Sequence, residues 1–153
     1  EEIKLSGKVR HINNGDCPKC DELFNRFLGF HQGLRDWFKT IQKNVPDAHI
    51  SCAGRGKIEQ EEFFKKKTSK ARYGQSSHNF NAAIDIMKLY GGGVEWPKEW
   101  FTKNIESALD SHNNNPTSTF KITWYGKPGS KFYELPHFEV TGWKAMTELK
   151  LVE

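Results

Sequence analysis

The chain has 153 residues, 36% of them hydrophobic and 13% aromatic, and its 23 Lys and Arg against 19 Asp and Glu give a net charge of +4. That length suits one domain, spanning the whole chain, able to bury about two-thirds of the surface its unfolded form exposes. No run of about 18 apolar residues occurs, which excludes a membrane-inserted helix, and so slight a charge fits an anionic polymer without calling for nucleic acid.

Residues 1–16 read as a polar lead-in closing on the turn signal Asn13-Asn14-Gly15-Asp16. The opening Glu-Glu-Ile-Lys-Leu-Ser-Gly-Lys is too polar for a secretory signal, so synthesis in the cytoplasm is expected. Cys17, Cys20 and Cys52 cannot all pair, which suits a reducing compartment. Cys17-Pro18-Lys19-Cys20 lacks the second C-x-x-C of a zinc ribbon and the preceding strand of a redox fold, so it reads as a turn opening a helix. Leu23, Phe27, Phe30, Leu34, Trp37, Ile41 and Val45 then recur every three or four residues, with Phe24, Leu28 and Phe38 widening the stripe. Gly29 and Gly33 weaken that helix by about 1 kcal/mol each, and a break near Gly33 would give two helices ending at Pro46.

Asp47 to Ala53 predicts a short strand running into Gly54-Arg55-Gly56, a position from which an arginine can be aimed into a cleft, although alone it reads more simply as a solvated turn residue. Ile58 to Lys67 predicts a charged helix with Phe63 and Phe64 buried, and residues 68–77 a polar loop. After the apolar run around Asp85, Gly91-Gly92-Gly93 marks a flexible connection. Pro97 opens a helix reaching about Ser111, with Phe101, Ile105, Ala108 and Leu109 inward. Thr119 to Tyr125 alternates with period two, Lys127 to Ser130 is a loop, and Trp143 to Leu149 predicts a short terminal helix. Helices and strands alternate without βαβ spacing, so the expected class is α+β: a small, largely antiparallel sheet with flanking helices and a metal site at the sheet edge.

Two stretches carry chemistry. Ser76-Ser77-His78-Asn79-Phe80-Asn81-Ala82-Ala83-Ile84-Asp85 sets a carboxylate inside an apolar run, where an unpaired charge is costly. Glu134-Leu135-Pro136-His137-Phe138-Glu139-Val140 supplies a second histidine at the mouth of another apolar segment. His78, Asp85 and His137 together make the three-ligand set of a zinc site with one open position, at which bound water ionises near pH 7. Glu134 is the natural general base, brought round to the face of His137 by a bend at Leu135-Pro136. Glu139, two residues after His137, either holds its imidazole or is simply exposed.

Ser76-x-His78-x6-Asp85 resembles the S-x-H-x-x-G-x-A-x-D signature of the zinc D-alanyl-D-alanine carboxypeptidase and L-alanyl-D-glutamate endopeptidase family, which includes phage endolysins. Glu134-Leu135-Pro136-His137-Phe138-Glu139 resembles its second signature, while Gly54-Arg55, Glu59-Gln60 and Trp124-Tyr125-Gly126 fit the intervening pattern. The resemblance runs from about Ile50 to Val140, and it departs where the family's glycine is Asn81, a residue tolerant of positive φ. It implies zinc on His78, Asp85 and His137, Glu134 as base, Arg55 over the scissile carbonyl, and Ser76 bordering the substrate. The implied partner is the peptide of bacterial peptidoglycan. The protein is then expected to be a monomeric hydrolase, an endolysin reaching the wall through a lysed or permeabilised membrane, with neither nucleic acid nor membrane insertion involved. Arg55, Lys127 and Lys131 do not read as a closed pocket for a terminal carboxylate, which favours L-Ala–D-Glu endopeptidase action. The alternatives are a D-Ala-D-Ala carboxypeptidase or dipeptidase, and a non-catalytic zinc- or wall-binding module.

Overall fold

Short strands with one apolar face assemble into a sheet, and the aromatic stripes of the helices close over it. The computed structural model describes residues 2–5, 8–11, 17–90, 93–95, 98–127, 129–130 and 133–152, with backbone alone at 2–5, 8–11, 89–90 and 93–95. In chain order the elements are β1 (Glu2–Leu5), β2 (Lys8–His11), α1 (Pro18–Asn25), α2 (Gln32–Asn44), β3 (Ala48–Cys52), α3 (Lys57–Lys65), a 3-10 turn (Ser77–Phe80), β4 (Ala83–Tyr90), β5 (Gly93–Glu95), α4 (Lys98–Asn104), α5 (Glu106–Asn114), β6 (Ile122–Trp124), β7 (His137–Val140) and a 3-10 turn (Trp143–Ala145). The main sheet runs β3-β4-β7-β6, with β5 folded back on β4, and every pairing among the described residues is antiparallel. The fold is therefore the expected α+β class.

Phe138 shows how the core is made. It stacks on Trp124 at 5.6 Å between ring centroids, meets Phe101 of α4 at 6.3 Å and Trp37 of α2 at 5.8 Å, and is fully buried. Ile84, Ile86 and Val140 are likewise fully buried. Each such side chain is worth roughly 1.5–3 kcal/mol of burial, and truncating Phe138 to Ala would cost roughly 3–5 kcal/mol.

Several local expectations are corrected. The stretch read as a polar lead-in contains the hairpin β1–β2, paired from Glu2↔His11 to Leu5↔Lys8; the Ile3-Lys4-Leu5 alternation is the strand signal that its polarity masked. The turn signal Asn13–Asp16 lies outside the described residues. The long aromatic stripe does break into two helices, but at residues 26–31, where Gly29 adopts φ +89°, whereas Gly33 sits in the first turn of α2. Leu28, assigned to the stripe, falls in that break and is 99% exposed. Phe64 is largely outside the core, covered by the Arg72 guanidinium 5.0 Å above its ring. The helix placed after Pro97 is two helices divided at Ile105, the 119–125 strand contracts to Ile122–Trp124, and the terminal helix to one 3-10 turn. Gly93 belongs to β5, while Gly91, Gly92 and Pro97 lie outside the described residues.

Candidate metal centre

Strand register brings the two sequence motifs together. On β4 and β7 Asp85 stands directly opposite His137, and Ala83 opposite Glu139, so the two-residue period of a strand sets His137 and Glu139 on one face. On its other side Asp85 faces Cys52 of β3, where a bulge after Ile50 shifts the register by one residue. His78 arrives from the 3-10 turn. Ser76 caps that turn by accepting from the His78 amide at 3.2 Å in a capping box with Asn79, and Asn81 closes it at φ +55°, ψ +34°. Asn81 thus adopts the left-handed conformation that the glycine of the resembled signature would allow. Its carbonyl accepts from the His31 amide, and its side chain packs so closely on Gly54 that a Cβ there would collide with it. The C-terminal segment also braces this turn, with the Val152 amide donating to the Asn79 carbonyl at 2.6 Å and Tyr73 donating to the Val152 carbonyl.

One carboxylate oxygen joins the histidines. Asp85 Oδ1 lies 3.2 Å from His78 Nε2 and 3.1 Å from His137 Nδ1, and the two rings meet edge to face at 5.0 Å. The opposite ring nitrogens are already committed. His78 Nδ1 lies 2.7 Å from the Ala53 carbonyl, to which it can only donate, and His137 Nε2 lies 2.8 Å from Glu139 Oε1. These contacts leave His78 Nε2 and His137 Nδ1 facing Asp85, donating to it when the rings are charged and offering their lone pairs to a metal once those protons leave, the arrangement that metal-ligating histidines adopt. The donor set of two imidazoles and a carboxylate suits zinc.

Glu139 is the best-anchored side chain in this region. Its Oε1 accepts from Ser77 at 2.9 Å as well as facing His137, and its Oε2 accepts from Tyr125 at 2.9 Å and Trp143 Nε1 at 3.0 Å. Tyr125 also stacks on His137 with centroids 5.0 Å apart and planes 11° apart. Of the two readings left open for Glu139, the buried one is seen.

Arg55 is half-buried, its side chain 11% exposed, rather than a solvated turn residue. Its Nη2 lies 3.9 Å from Asp85 Oδ2 and 3.5 Å from Cys52 Sγ, its Nη1 donates to Gln60 at 3.1 Å, and the guanidinium covers Phe63 at 4.6 Å. Gln60 is itself fully buried and donates to the Ala71 carbonyl, so α3 serves to aim the arginine. Glu134 sits on the bend expected at Leu135-Pro136. The His137 amide donates to the Glu134 carbonyl, the Glu134 amide to Tyr125, and Trp124 Nε1 to the Leu135 carbonyl. The Glu134 carboxylate lies 3.8 Å from His137 Nδ1 with its side chain 63% exposed, the open flank of an otherwise buried cluster.

The electrostatics follow from this packing. Burial alone would lower both histidines, but Asp85, with Cys52 adding to it, raises His78 well above its ordinary 6.5, and Asp85 with Glu139 raises His137. Burial would raise the two carboxyls, yet the imidazoles hold Asp85 and Glu139 below their usual range. Tyr125 is pushed up to about 12 by burial and the neighbouring Glu139.

The structure thus gathers His78, Asp85, His137, Glu134, Glu139 and Arg55. The Ser76 hydroxyl caps the turn that carries His78, and Ser77, Cys52, Gln60, Tyr125 and Trp143 also stand around the site. Ser77 lay beside His78 in the first motif, and Gln60 and Tyr125 lay in the segments that fit the family's intervening pattern, but nothing local could show that Ser77 and Tyr125 reach Glu139 or that Gln60 holds Arg55. Cys52 Sγ lies 3.7 Å from His78 Nδ1, so Cys52, His78 and Asp85 also form a compact group of metal-type donors. A second such group, Cys17, Cys20 and His49, gathers at the other end of β3.

No protein-family model matches the chain, and no curated protein matches it in sequence at a significant level. Its fold is similar to the crystal structure of the Serratia marcescens L-Ala D-Glu endopeptidase ChiX, with a TM-score of 0.63 and 19% identity, covering 84% of this chain and 90% of that one. At that identity the likeness establishes a shared fold.

Proposed function

We propose that this chain is a zinc-dependent peptidase of bacterial cell-wall peptides, acting as an L-Ala–D-Glu endopeptidase. The observation that carries the reading is Asp85 between two imidazoles whose far nitrogens are already held by the Ala53 carbonyl and Glu139. The fold shared with ChiX supports it. His78, Asp85 and His137 would hold the zinc, which when bound supplies Lewis acidity to water and to the substrate carbonyl. Glu134, exposed on the flank of His137, takes the proton of the attacking water and returns it to the leaving amine. Arg55, kept in place by Gln60 and Phe63, sets fixed positive charge beside Asp85 where the oxyanion develops. Glu139 holds the His137 ring while Ser77, Tyr125 and Trp143 hold Glu139.

A groove of about 400 Å³ lined by Gly74, Gln75, Phe80, Trp143, Lys144 and Met146 meets the cluster through Trp143, the donor to Glu139, and none of the proposed ligands, Glu134 or Arg55 lines it. Lys127, one of the cations considered for a terminal carboxylate, is engaged by Asp110 at 3.0 Å, and Lys131 lies outside the described residues. Digestion of purified peptidoglycan by the zinc-loaded chain is expected to release new N-terminal D-Glu with little free D-Ala. Free D-Ala as the main product would transfer the proposal to carboxypeptidase action, and no cleavage of any stem-peptide bond would remove it.

A further inference from the structure

Away from the histidine–aspartate cluster, two cysteines and a histidine converge in the interior. Cys17 is the N-cap of α1 and Cys20 lies in its first turn, and each sulfur is buried. His49 sits on β3, opposite Met87 of β4 and three residues before Cys52, so at most about 10 Å of extended chain separates it from the catalytic cluster. His49 Nδ1 lies 3.5 Å from Cys17 Sγ and 3.7 Å from Cys20 Sγ. All three cysteines of the chain are free thiols.

The three donors converge on one point: Nδ1 faces both sulfurs, and the Cys17 and Cys20 side chains are hydrogen-bonded to each other. Their ligand atoms lie within 4.8 Å of one another, close enough for one metal ion to replace this chain of thiol protons. With zinc–sulfur bonds of about 2.3 Å and zinc–nitrogen bonds of about 2.0–2.1 Å, a tetrahedral site sets sulfur and nitrogen about 3.5 Å apart, close to both separations seen.

The surroundings also suit thiolates. The Cys20 amide points at Cys17 Sγ from 3.3 Å. Gln42, itself fully buried, points Nε2 at Cys20 Sγ from 3.3 Å while donating to the Ala48 carbonyl at 3.1 Å. The Ile50 amide contributes to Cys20 as well. Donors of this kind spread the charge of metal-bound sulfur. Two thiolates, a neutral imidazole and a divalent ion sum to zero charge, which a buried position tolerates.

We propose that Cys17, Cys20 and His49 form a second, structural metal site that takes zinc and fastens the start of α1 to β3. Two thiolates and an imidazole select a soft or borderline ion over calcium or magnesium. The depth of the sulfurs leaves no approach for a substrate, so this site fastens rather than catalyses. The half zinc ribbon of the C-x-x-C is completed by one histidine from a strand instead of a second C-x-x-C, and a fourth donor, water or protein, fills the remaining position.

Cobalt(II) distinguishes the two sites without any activity measurement. Thiolate ligands give cobalt an intense near-ultraviolet charge-transfer band, whereas a His/Asp/His site gives none. The reduced, metal-free full chain titrated with cobalt is expected to develop that band with one equivalent bound. The band should persist in a Cys52→Ser/His78→Ala double variant, which removes the other cysteine and the other site, and should vanish in Cys20→Ser. Zinc reconstitution should give two ions per wild-type chain and one in His78→Ala. Should Cys20→Ser fail to fold, the wild-type and Cys52→Ser/His78→Ala spectra still decide. No charge-transfer band in the wild type with cobalt in excess, or its loss in Cys52→Ser/His78→Ala, overturns the proposal.

Discussion

The two ends of β3 carry two donor groups of opposite character. At Cys17, Cys20 and His49 the donors are soft, the sulfurs are buried, and backbone and amide N–H groups point at them. At His78, Asp85 and His137 the donors are harder, the imidazoles are braced from behind, and the exposed Glu134 adjoins them. Both sets have three donors. The difference is access: a closed set can only hold an ion, whereas an open one can present an ion to water and substrate.

The largest effect expected from breaking that contrast lies on the open side. Glu134→Gln should keep its metal and fold while peptidoglycan turnover falls by about 10²–10⁴-fold, because the change removes proton transfer and no ligand. Arg55→Ala should keep its metal and lose about 10²–10³-fold, the scale of one oxyanion donor. Paired metal analysis and rate measurement check both. Near-normal turnover in Glu134→Gln would move the base to another carboxylate.

A smaller effect is expected at Glu139. Glu139→Gln keeps the shape but weakens the hold on the His137 ring, so zinc affinity at the open site should fall by about 10–100-fold. A competitive chelator titration measures this, and unchanged affinity would mean that Tyr125 stacking alone orients the ring.

The mildest perturbation is pH. His78 and His137 are raised above 6.5 in the folded chain, so a metal at this site must displace protons from them. Their contribution to metal-free stability is complete below 6.5 and is lost as pH rises through the raised values, while metal binding strengthens over the same range. Apparent zinc affinity, read in a Cys17→Ser/Cys20→Ser variant to isolate this site, should therefore climb with pH above 6.5. A flat profile there would contradict the proton competition.

Much of the open site was legible in the chain. A carboxylate inside Ala82-Ala83-Ile84-Asp85-Ile86 demands a partner, His137 and Glu139 share a face through the two-residue strand period, and Leu135-Pro136 announces the bend that turns Glu134 back. The α+β class followed from the same alternations. Local sequence also allowed the split of the aromatic stripe, though it favoured the wrong glycine, because Gly33 is tolerated in a first helical turn while Gly29 carries the positive φ.

What the sequence alone determined is local: which residue types recur with which period, where a cap or a bend must fall, and which charge cannot stand alone. Only the tertiary structure decided that His49 meets cysteines about thirty positions away, that a bulge aligns Cys52 with Asp85, and that Ser77, Tyr125 and Trp143 converge on Glu139. The physical reason is that these meetings depend on strand register and helix docking. Both are set by the summed burial of Phe138, Trp124, Phe101, Trp37 and their neighbours across the whole chain, which no short window of sequence contains.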